Sequence, residues 1–428
     1  MKNMNKSGKT TAASKKNAKP IRVGVIGVGR GQSFALGATD LVGMKLVALC
    51  DTWKDKLDEA GKKYGVSTYT DYDKFLEHDM DAVVLANYFH QHAPFAIKAL
   101  DAGLHVMSEC AACHTMAEGV ALARAVERSK RIYMFAENYP YAAYNQEMRR
   151  LYLEGRVGKF VYGEGEYIHP DTAEVKMARS CGYNHWRNWS PWIYYCTHAI
   201  APVMFITDTM PVSVSTFVVP YDFDDPTIAM TARRYDTGAA LMLKMDNGAI
   251  VKALQGCFRG HGTFVRIHGN RGLMENCRTG NRSHLRVWRE PWEKNPGEPI
   301  EQIYSPDFPA HHDLAMKAGH GGGDFFTNFH FAEAIRSGRQ PYLDVYRGLA
   351  MSMCGIQGWR SALAGSAPME VPDFRKESVR KKYENDEFSP DPTRQGHVPC
   401  SVLGEIKPSK KALAFSRAVW RKQGYKGK

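Results

Sequence analysis

Five residues, Gly27-Val28-Gly29-Arg30-Gly31, directly follow an apolar run at Ile21–Ile26. Glycines in that place let a chain turn sharply and approach a pyrophosphate held over a helix N-terminus. The position of a third fingerprint glycine holds Gln32. Asp51 ends the next apolar run, 22 residues after Gly29. That is near the ~20-residue spacing at which an acid meets the ribose hydroxyls of a dinucleotide. A carboxylate there repels a ribose phosphate, so NAD is expected over NADP, although Lys54 stands close by. Gly27, Gly29, Arg30, Gly31 and Asp51 are the first expected cofactor contacts. Two later strand ends, Asn87-Tyr88-Phe89-His90-Gln91-His92 and His105-Val106-Met107-Ser108-Glu109, are rich in polar groups. Ligands bind beyond the carboxyl ends of parallel strands, so Asn87, His92 and Glu109 join the set. Helix capping is the alternative role for His90 and His92.

These residues need a parallel sheet to hold them. Residues 21–136 alternate apolar runs at Ile21–Ile26, Lys45–Cys50, Asp81–Ala86, His105–Met107 and Ile132–Ala136 with helical spacing at 54–64, Pro94–Ala102 and Met116–Ser129. Strand, helix and strand in repeated order predict a doubly wound Rossmann domain. After about residue 158 the pattern changes to β-branched and aromatic runs: Phe160–Ile168, Val212–Val219, Ala239–Lys244, Ala249–Leu254 and Thr263–His268. Asp246-Asn247-Gly248 is a hairpin turn signal between two of them. The second domain is therefore expected to be α+β with a large, mostly antiparallel sheet, followed by helices at Phe325–Ser337 and Val345–Leu363. The expected division is a disordered basic leader at 1–20, an NAD-binding domain at 21–143, a substrate and oligomerisation domain at 144–375, and an extended basic tail at 376–428.

Several segments, in order, carry a resemblance: Glu137-Asn138, Gly163-Glu164-Gly165-Glu166-Tyr167-Ile168-His169, Asn184-His185-Trp186-Arg187, Thr197-His198-Ala199-Ile200-Ala201-Pro202, Gly319-His320-Gly321-Gly322 with Asp324, and Val371-Pro372-Asp373-Phe374. From residue 21 to about 375 the chain resembles the Gfo/Idh/MocA oxidoreductases. Typical members carry Glu-Lys-Pro at the end of the fourth strand; here Glu109-Cys110-Ala111 stands there, without the lysine. The segments above are more closely similar to glycoside hydrolase family 109, NAD-dependent glycosidases that also lack that lysine. The resemblance implies transient oxidation of the sugar hydroxyl on carbon 3, loss of the carbon-2 proton with expulsion of the carbon-1 group, water addition and re-reduction. Tightly bound NAD is then recycled, and the paired carboxylates of ordinary glycosidases are not needed. It also implies His198 as base for the hydroxyl, Tyr167 near carbon 2, and Glu137 at the end of the fifth strand. Asn138 would touch the cofactor, and His169, Trp186, Arg187 and His320 the sugar. A net sugar or glycoside dehydrogenase is the alternative, and a non-catalytic dinucleotide and sugar sensor the third.

The net charge of +12 is concentrated at the ends: residues 1–20 contribute +6 and 405–428 contribute +7, so the rest sums to 12 − 13 = −1. A body this close to neutral, with no patterned aromatics or zinc-ligand spacing, excludes nucleic acid as the expected partner. No apolar stretch approaches the ~20 residues of a membrane helix, and no apolar leader suggests export. Nine cysteines without framework spacing predict reduced thiols and a cytoplasmic setting. The lone Cys110-Ala-Ala-Cys113 pair cannot complete a structural zinc site, and no metal is expected. Self-association into a dimer or tetramer is implied by the family resemblance.

Overall fold

The computed structural model describes residues 19–427. The basic leader expected at 1–20 therefore lies outside them except for Lys19 and Pro20.

The first sheet has six parallel strands: β1 (Ile21–Ile26), β2 (Met44–Cys50), β3 (Ser67–Tyr69), β4 (Ala82–Leu85), β5 (His105–Ser108) and β6 (Tyr133–Phe135), in the order β3-β2-β1-β4-β5-β6. Strand order reverses at β1, which puts a crevice beyond the carboxyl ends of β1 and β4. β3 was not expected. It is three residues long and half exposed, so it carries no apolar run. The central strands are buried on both faces, with Val23, Val25, Ala82, Val83, Leu85, Val106 and Met107 almost inaccessible, as helix-covered parallel strands must be.

The second sheet has nine strands: β7 (Phe160–Ile168), β8 (Pro211–Val219), β9 (Gly238–Met245), β10 (Ile250–Gly256), β11 (Gly262–Gly269), β12 (Gly272–Asn276), β13 (Leu285–Arg289), β14 (Glu301–Tyr304) and β15 (Met369–Glu370). Their order is β14-β13-β12-β11-β7-β10-β9-β8-β15. β7 and β10 pair in parallel and the other pairs are antiparallel. The expected hairpin at Asp246-Asn247-Gly248 joins β9 to β10, and Gly248 N–H donates to Met245 O. Alternation sets the faces: Leu241, Leu243 and Met245 point inward while Met242 and Lys244 point out. Helices Thr197–Thr207 and Val345–Leu363 cover the inner face.

Two segments cross the expected domain division. Helix Gly323–Ser337, numbered within the second domain, packs on helix Gly31–Gly37 of the first. Asn328 donates to Phe34 O, and Arg336 donates to Val42 O and Gly43 O. The other is the segment 376–428, expected to be extended. It contains the helix Lys410–Lys422, capped by Ser409, whose hydroxyl accepts from Ala412 N–H. Ala412, Ser416, Val419 and Trp420 form its buried face, against Met177, Cys181 and Ala232. Their helical spacing was hidden by the many lysines and arginines on the opposite face. Tyr425 then packs on Trp53 and Lys426 reaches Asp55, tying the chain end to the first domain. All nine cysteines are free thiols. Among the described residues no helix is long and apolar enough to cross a membrane.

Candidate active site

The crevice beyond β1 and β4 is built for a close ligand. Gly27 has φ +91°, and a Cβ there would lie 2.3 Å from the Ala86 carbonyl oxygen, so only glycine makes this turn. Gly29 faces open space. Asp51 is held at the end of β2 by two backbone donors, Val28 N–H to Oδ2 and Trp53 N–H to Oδ1, each at 2.8 Å. Lys54 pairs within its own helix with Asp58, leaving Asp51 as the charge at this end. Across the crevice, the Asn87 amide has buried Nδ2 and Oδ1 atoms with no partner. Buried polar atoms are nearly always satisfied, so this amide is available to a polar ligand in the crevice. A tight glycine turn, an anchored acid and an orphan amide together fit a dinucleotide. Asp51→Ala is expected to weaken NADH binding by about 10–100-fold, the worth of a charge-assisted hydrogen-bond pair. NADPH should be weakened less, a difference readable by fluorescence titration with both nucleotides.

Arg30 links this crevice to the second domain. Its Nε donates to Glu109 (2.6 Å), and its two terminal nitrogens donate to both oxygens of Asp324, at 2.7 and 3.0 Å. Asp324 also accepts from Asn138 Nδ2 at 2.9 Å and meets His320 Nδ1 at 2.9 Å. Burial would raise both carboxyls. Arg30 reverses this for Glu109, and His320 with Arg30 reverses it for Asp324, which is held well below the usual carboxylate range. A carboxyl depressed in the folded state gives stability that is present above its unfolded pKa and lost as pH falls through the folded value. Thermal stability should therefore drop steeply on acidification below about pH 4, the ordinary carboxylate range. Asp324→Asn should flatten that acid limb in a series of melts from pH 7 to pH 2.5.

The second cluster lies beside the first. His198, near the start of helix Thr197–Thr207, places Nδ1 2.7 and 2.8 Å from the two oxygens of Glu137. Glu137 is fully buried after β6. A carboxylate on Nδ1 makes that nitrogen the donor and leaves Nε2 as the proton acceptor. Three tyrosines surround the imidazole: Tyr167 with ring centres 4.6 Å apart, Tyr195 at 4.6 Å and Tyr139 at 4.7 Å. Burial pushes the Tyr167 phenol well above its ordinary value, with Tyr195 adding to the rise and Arg187 opposing it. Cys110 Sγ, Glu137 and His198 offer atoms within 4.8 Å of one another. Burial also drives the Cys110 thiol well up; its Sγ donates to Glu109 and His198 already holds Glu137, so hydrogen bonds account for this trio without a cation.

The remaining sequence candidates divide. Trp186 stacks on Phe89 at 4.7 Å, and the Arg187 guanidinium lies 4.3 Å over the Trp186 ring. His169 sits 5.6 Å from the Tyr167 ring, and His320 is half-exposed, 6.4 Å from the Tyr139 ring. His92 is apart from this group. It is buried, with Nδ1 at Ala111 O and Nε2 at Asn87 O, so it props the loops behind the crevice. His90 packs on Trp189 and His114. Tyr195, Tyr139 and Cys110 were not anticipated, and Asp324 entered only as part of a matching segment. The only signal was nearness in sequence: Tyr195 stands three residues before His198, and Asp324 four after His320, each pair brought together across a turn into a helix.

Comparison with known proteins agrees with this architecture. Residues 21–137 match the model of the oxidoreductase family, NAD-binding Rossmann fold, and residues 234–381 that of the glycosyl hydrolase 109 C-terminal domain. A glycosyl hydrolase family 109 protein of Saccharopolyspora erythraea is 25% identical over 83% of each chain. An alpha-N-acetylgalactosaminidase of Tannerella forsythia is 26% identical over 83% of this chain and 86% of that one. Among solved structures, levoglucosan dehydrogenase with NADH and L-sorbose superposes with a TM-score of 0.70, at 19% identity, over 83% of this chain and all of that one. An inositol dehydrogenase homologue with NAD+ from Azotobacter vinelandii gives 0.66 at 19% identity, over 82% of this chain and 98% of that one. The chain thus carries, in order, a region that matches the NAD-binding Rossmann domain of the Gfo/Idh/MocA oxidoreductase family and a region that matches the C-terminal domain of glycosyl hydrolase family 109.

Proposed function

We propose that this protein is an NAD-dependent glycoside hydrolase that cleaves by transient oxidation at sugar carbon 3, elimination across carbons 2 and 1, water addition and re-reduction. The observation that carries this reading is the buried Glu137–His198 pair inside a ring of tyrosines, next to the dinucleotide crevice. When bound, NAD accepts a hydride from the sugar and returns it. His198 Nε2 takes the hydroxyl proton, and Glu137 holds the ring in the accepting tautomer and stabilises the imidazolium. Tyr167 serves carbon 2. Burial favours its neutral phenol and the Arg187 guanidinium opposes only part of that rise, so its role there is as a neutral hydrogen-bonding phenol. Two carboxylates working as ordinary glycosidase acid and base are a poor fit. Glu137 is bound to His198, and Glu109 is kept ionised by Arg30 and cannot serve as the general acid.

Gly27, Gly29, Gly31, Asp51 and Asn87 would hold the cofactor, with NAD preferred because Asp51 faces the ribose end. Tyr425 packs on Trp53, whose backbone N–H donates to Asp51, and Lys426 pairs with Asp55, a tie beside the acid that supports a retained cofactor. Self-association is assigned to the outer face of the nine-stranded sheet, where Phe217, Val219 and Met242 are exposed.

Deuterium wash-in tests the reading. The purified protein is incubated in heavy water with nitrophenyl glycosides and no added cofactor, and the released sugar is examined by NMR and mass spectrometry. Deuterium at carbon 2 with nitrophenol release is expected. NADH accumulation only when NAD is supplied, without nitrophenol, would replace this reading with a net dehydrogenase. Binding with neither outcome would leave a sensor.

A further inference from the structure

Beside His198 lies a cleft lined by Trp186, Arg187, Ser190, Trp192, Tyr195 and Arg233, with Pro191 and Tyr235. Its polar lining is strongly one-sided. Arg233 is 8% exposed, and its Nε has no partner. Trp192 Nε1 is a second buried donor without an acceptor. Arg187 lies between two rings, 4.3 Å over Trp186 and 5.7 Å over Tyr195. Neither arginine forms an ion pair with a carboxylate among the described residues, although most other arginines of the chain do. The nearby carboxylates are engaged elsewhere. Asp236 accepts from Ser401 and Val402, Asp225 pairs with Arg259, and Asp171 pairs with Arg179.

Guanidinium groups stay charged in proteins. Two of them in an aromatic cleft carry a desolvation cost that an anion would offset. Their field reaches the neighbours. His185 is pushed down to about 3 by burial together with Arg187 and Arg233, and Lys176 down to about 8 by burial with Arg233 contributing. Lys176 donates to Thr227, so it too is a cation without a carboxylate partner. Position narrows the ligand further. Tyr195 touches both Arg187 and His198, with ring centres 4.6 Å from the imidazole. The cleft thus adjoins the proposed base, and an anionic group bound here would sit close to the sugar that His198 is proposed to deprotonate.

We propose that this cleft is an anion subsite, and that the glycoside carries an acidic group on the sugar, a uronic carboxylate or a sulfate ester, seated on Arg187 and Arg233. The inference rests on the proposed glycosidase reading, whose substrate class it names. A planar carboxylate or a tetrahedral sulfate would each accept from the guanidinium forks, with Trp192 Nε1 completing the shell.

The full-length protein can be tested without turnover by titrating tryptophan fluorescence, since Trp186 and Trp192 line the cleft. Glucuronate, galacturonate and galactose 6-sulfate are compared with glucose and galactose, each at constant ionic strength. An acidic sugar is expected to bind at least about tenfold more tightly than its neutral counterpart, the worth of one charge-assisted hydrogen bond. Whether the uronates or the sulfate ester show that gain identifies the anion. Arg233→Gln should abolish the preference and Arg233→Lys restore part of it. Equal affinity for acidic and neutral sugars would overturn the proposal, as would an unchanged preference in a folded Arg233→Gln. Should that variant fail to fold by circular dichroism, the wild-type ratio decides alone. Nitrophenyl glucuronide and glucoside then separate the two claims. Uronate binding without release from any glycoside keeps the subsite and removes the glycosidase reading. Release from neutral glycosides without an acidic preference in binding removes the subsite alone.

Discussion

His198→Asn is expected to lower turnover by about 10²–10⁴-fold, the usual range for a lost general base. Its amide nitrogen can still donate toward Glu137, but the side chain has no basic nitrogen to receive a proton. Bound NAD, read by absorbance and mass spectrometry, should be retained, because the dinucleotide crevice beyond β1 and β4 is untouched. His198→Ala should lose at least as much activity and also melt earlier, since it leaves Glu137 fully buried without the imidazole that now meets both its oxygens. The pair of variants separates proton transfer from packing. An Asn variant that kept more than about a tenth of wild-type turnover would remove His198 from the base role, whatever happened to the melting temperature.

Gly165→Ala, a single added methyl outside the reacting groups, should be nearly as damaging. Gly165 lies in β7, two residues before Tyr167. A Cβ there would fall 1.8 Å from the Ala199 carbonyl oxygen and 2.7 Å from the carbonyl carbon. Those atoms belong to the first turn of the helix that carries His198. Backbone cannot rotate aside as a side chain can, and a close-packed interior has no void to receive it. The helix must therefore move away from the sheet. Overpacking of this kind costs about 1–3 kcal/mol, which differential scanning fluorimetry would register. The same shift opens the Tyr167–His198 contact and the 2.7 Å bond to Glu137. Displacements near 1 Å in such sites cost about 100-fold in rate. A Gly165→Ala protein with wild-type turnover would show that this helix–strand approach does not position the catalytic pair.

Periodicity carried the architecture. The longer parallel strands were mostly apolar, β4 wholly and β1 and β2 apart from Arg22 and Lys45, because a strand covered on both faces has little polar side to show. β3 escaped detection because it is short and half exposed, and the helix Lys410–Lys422 because its basic residues outnumber those of the buried face. The cofactor crevice was also legible. Its glycine turn and its acid end the two neighbouring strands of one β-α-β unit, so their spacing along the chain fixes their closeness in space. Gly27, Asp51 and Asn87 meet there, while His92, with the same location in the chain, turns its ring to the backbone behind it.

The side proposed to face the sugar was different in kind. Its residues could be collected only as separate segments matched to a family pattern, with no way to derive their mutual distances. Glu137 and His198 are 61 residues apart, and Arg30 and Asp324 are 294 apart. Nothing local encodes such pairs. They exist because helix Thr197–Thr207 seats on Gly165 and because helix Gly323–Ser337 leaves its own part of the chain to pack on the first domain. The amino-acid order alone thus determined five of the six strands of the first sheet, five of the nine of the second (β12–β15 were not expected), the dinucleotide turn and the acid beside it, since each is encoded in a local run or turn. Tertiary packing decided which carboxylate meets which cation, which tyrosines enclose His198, and which arginines are left without a carboxylate. Those outcomes depend on contacts between surfaces that the chain brings together only once it is folded.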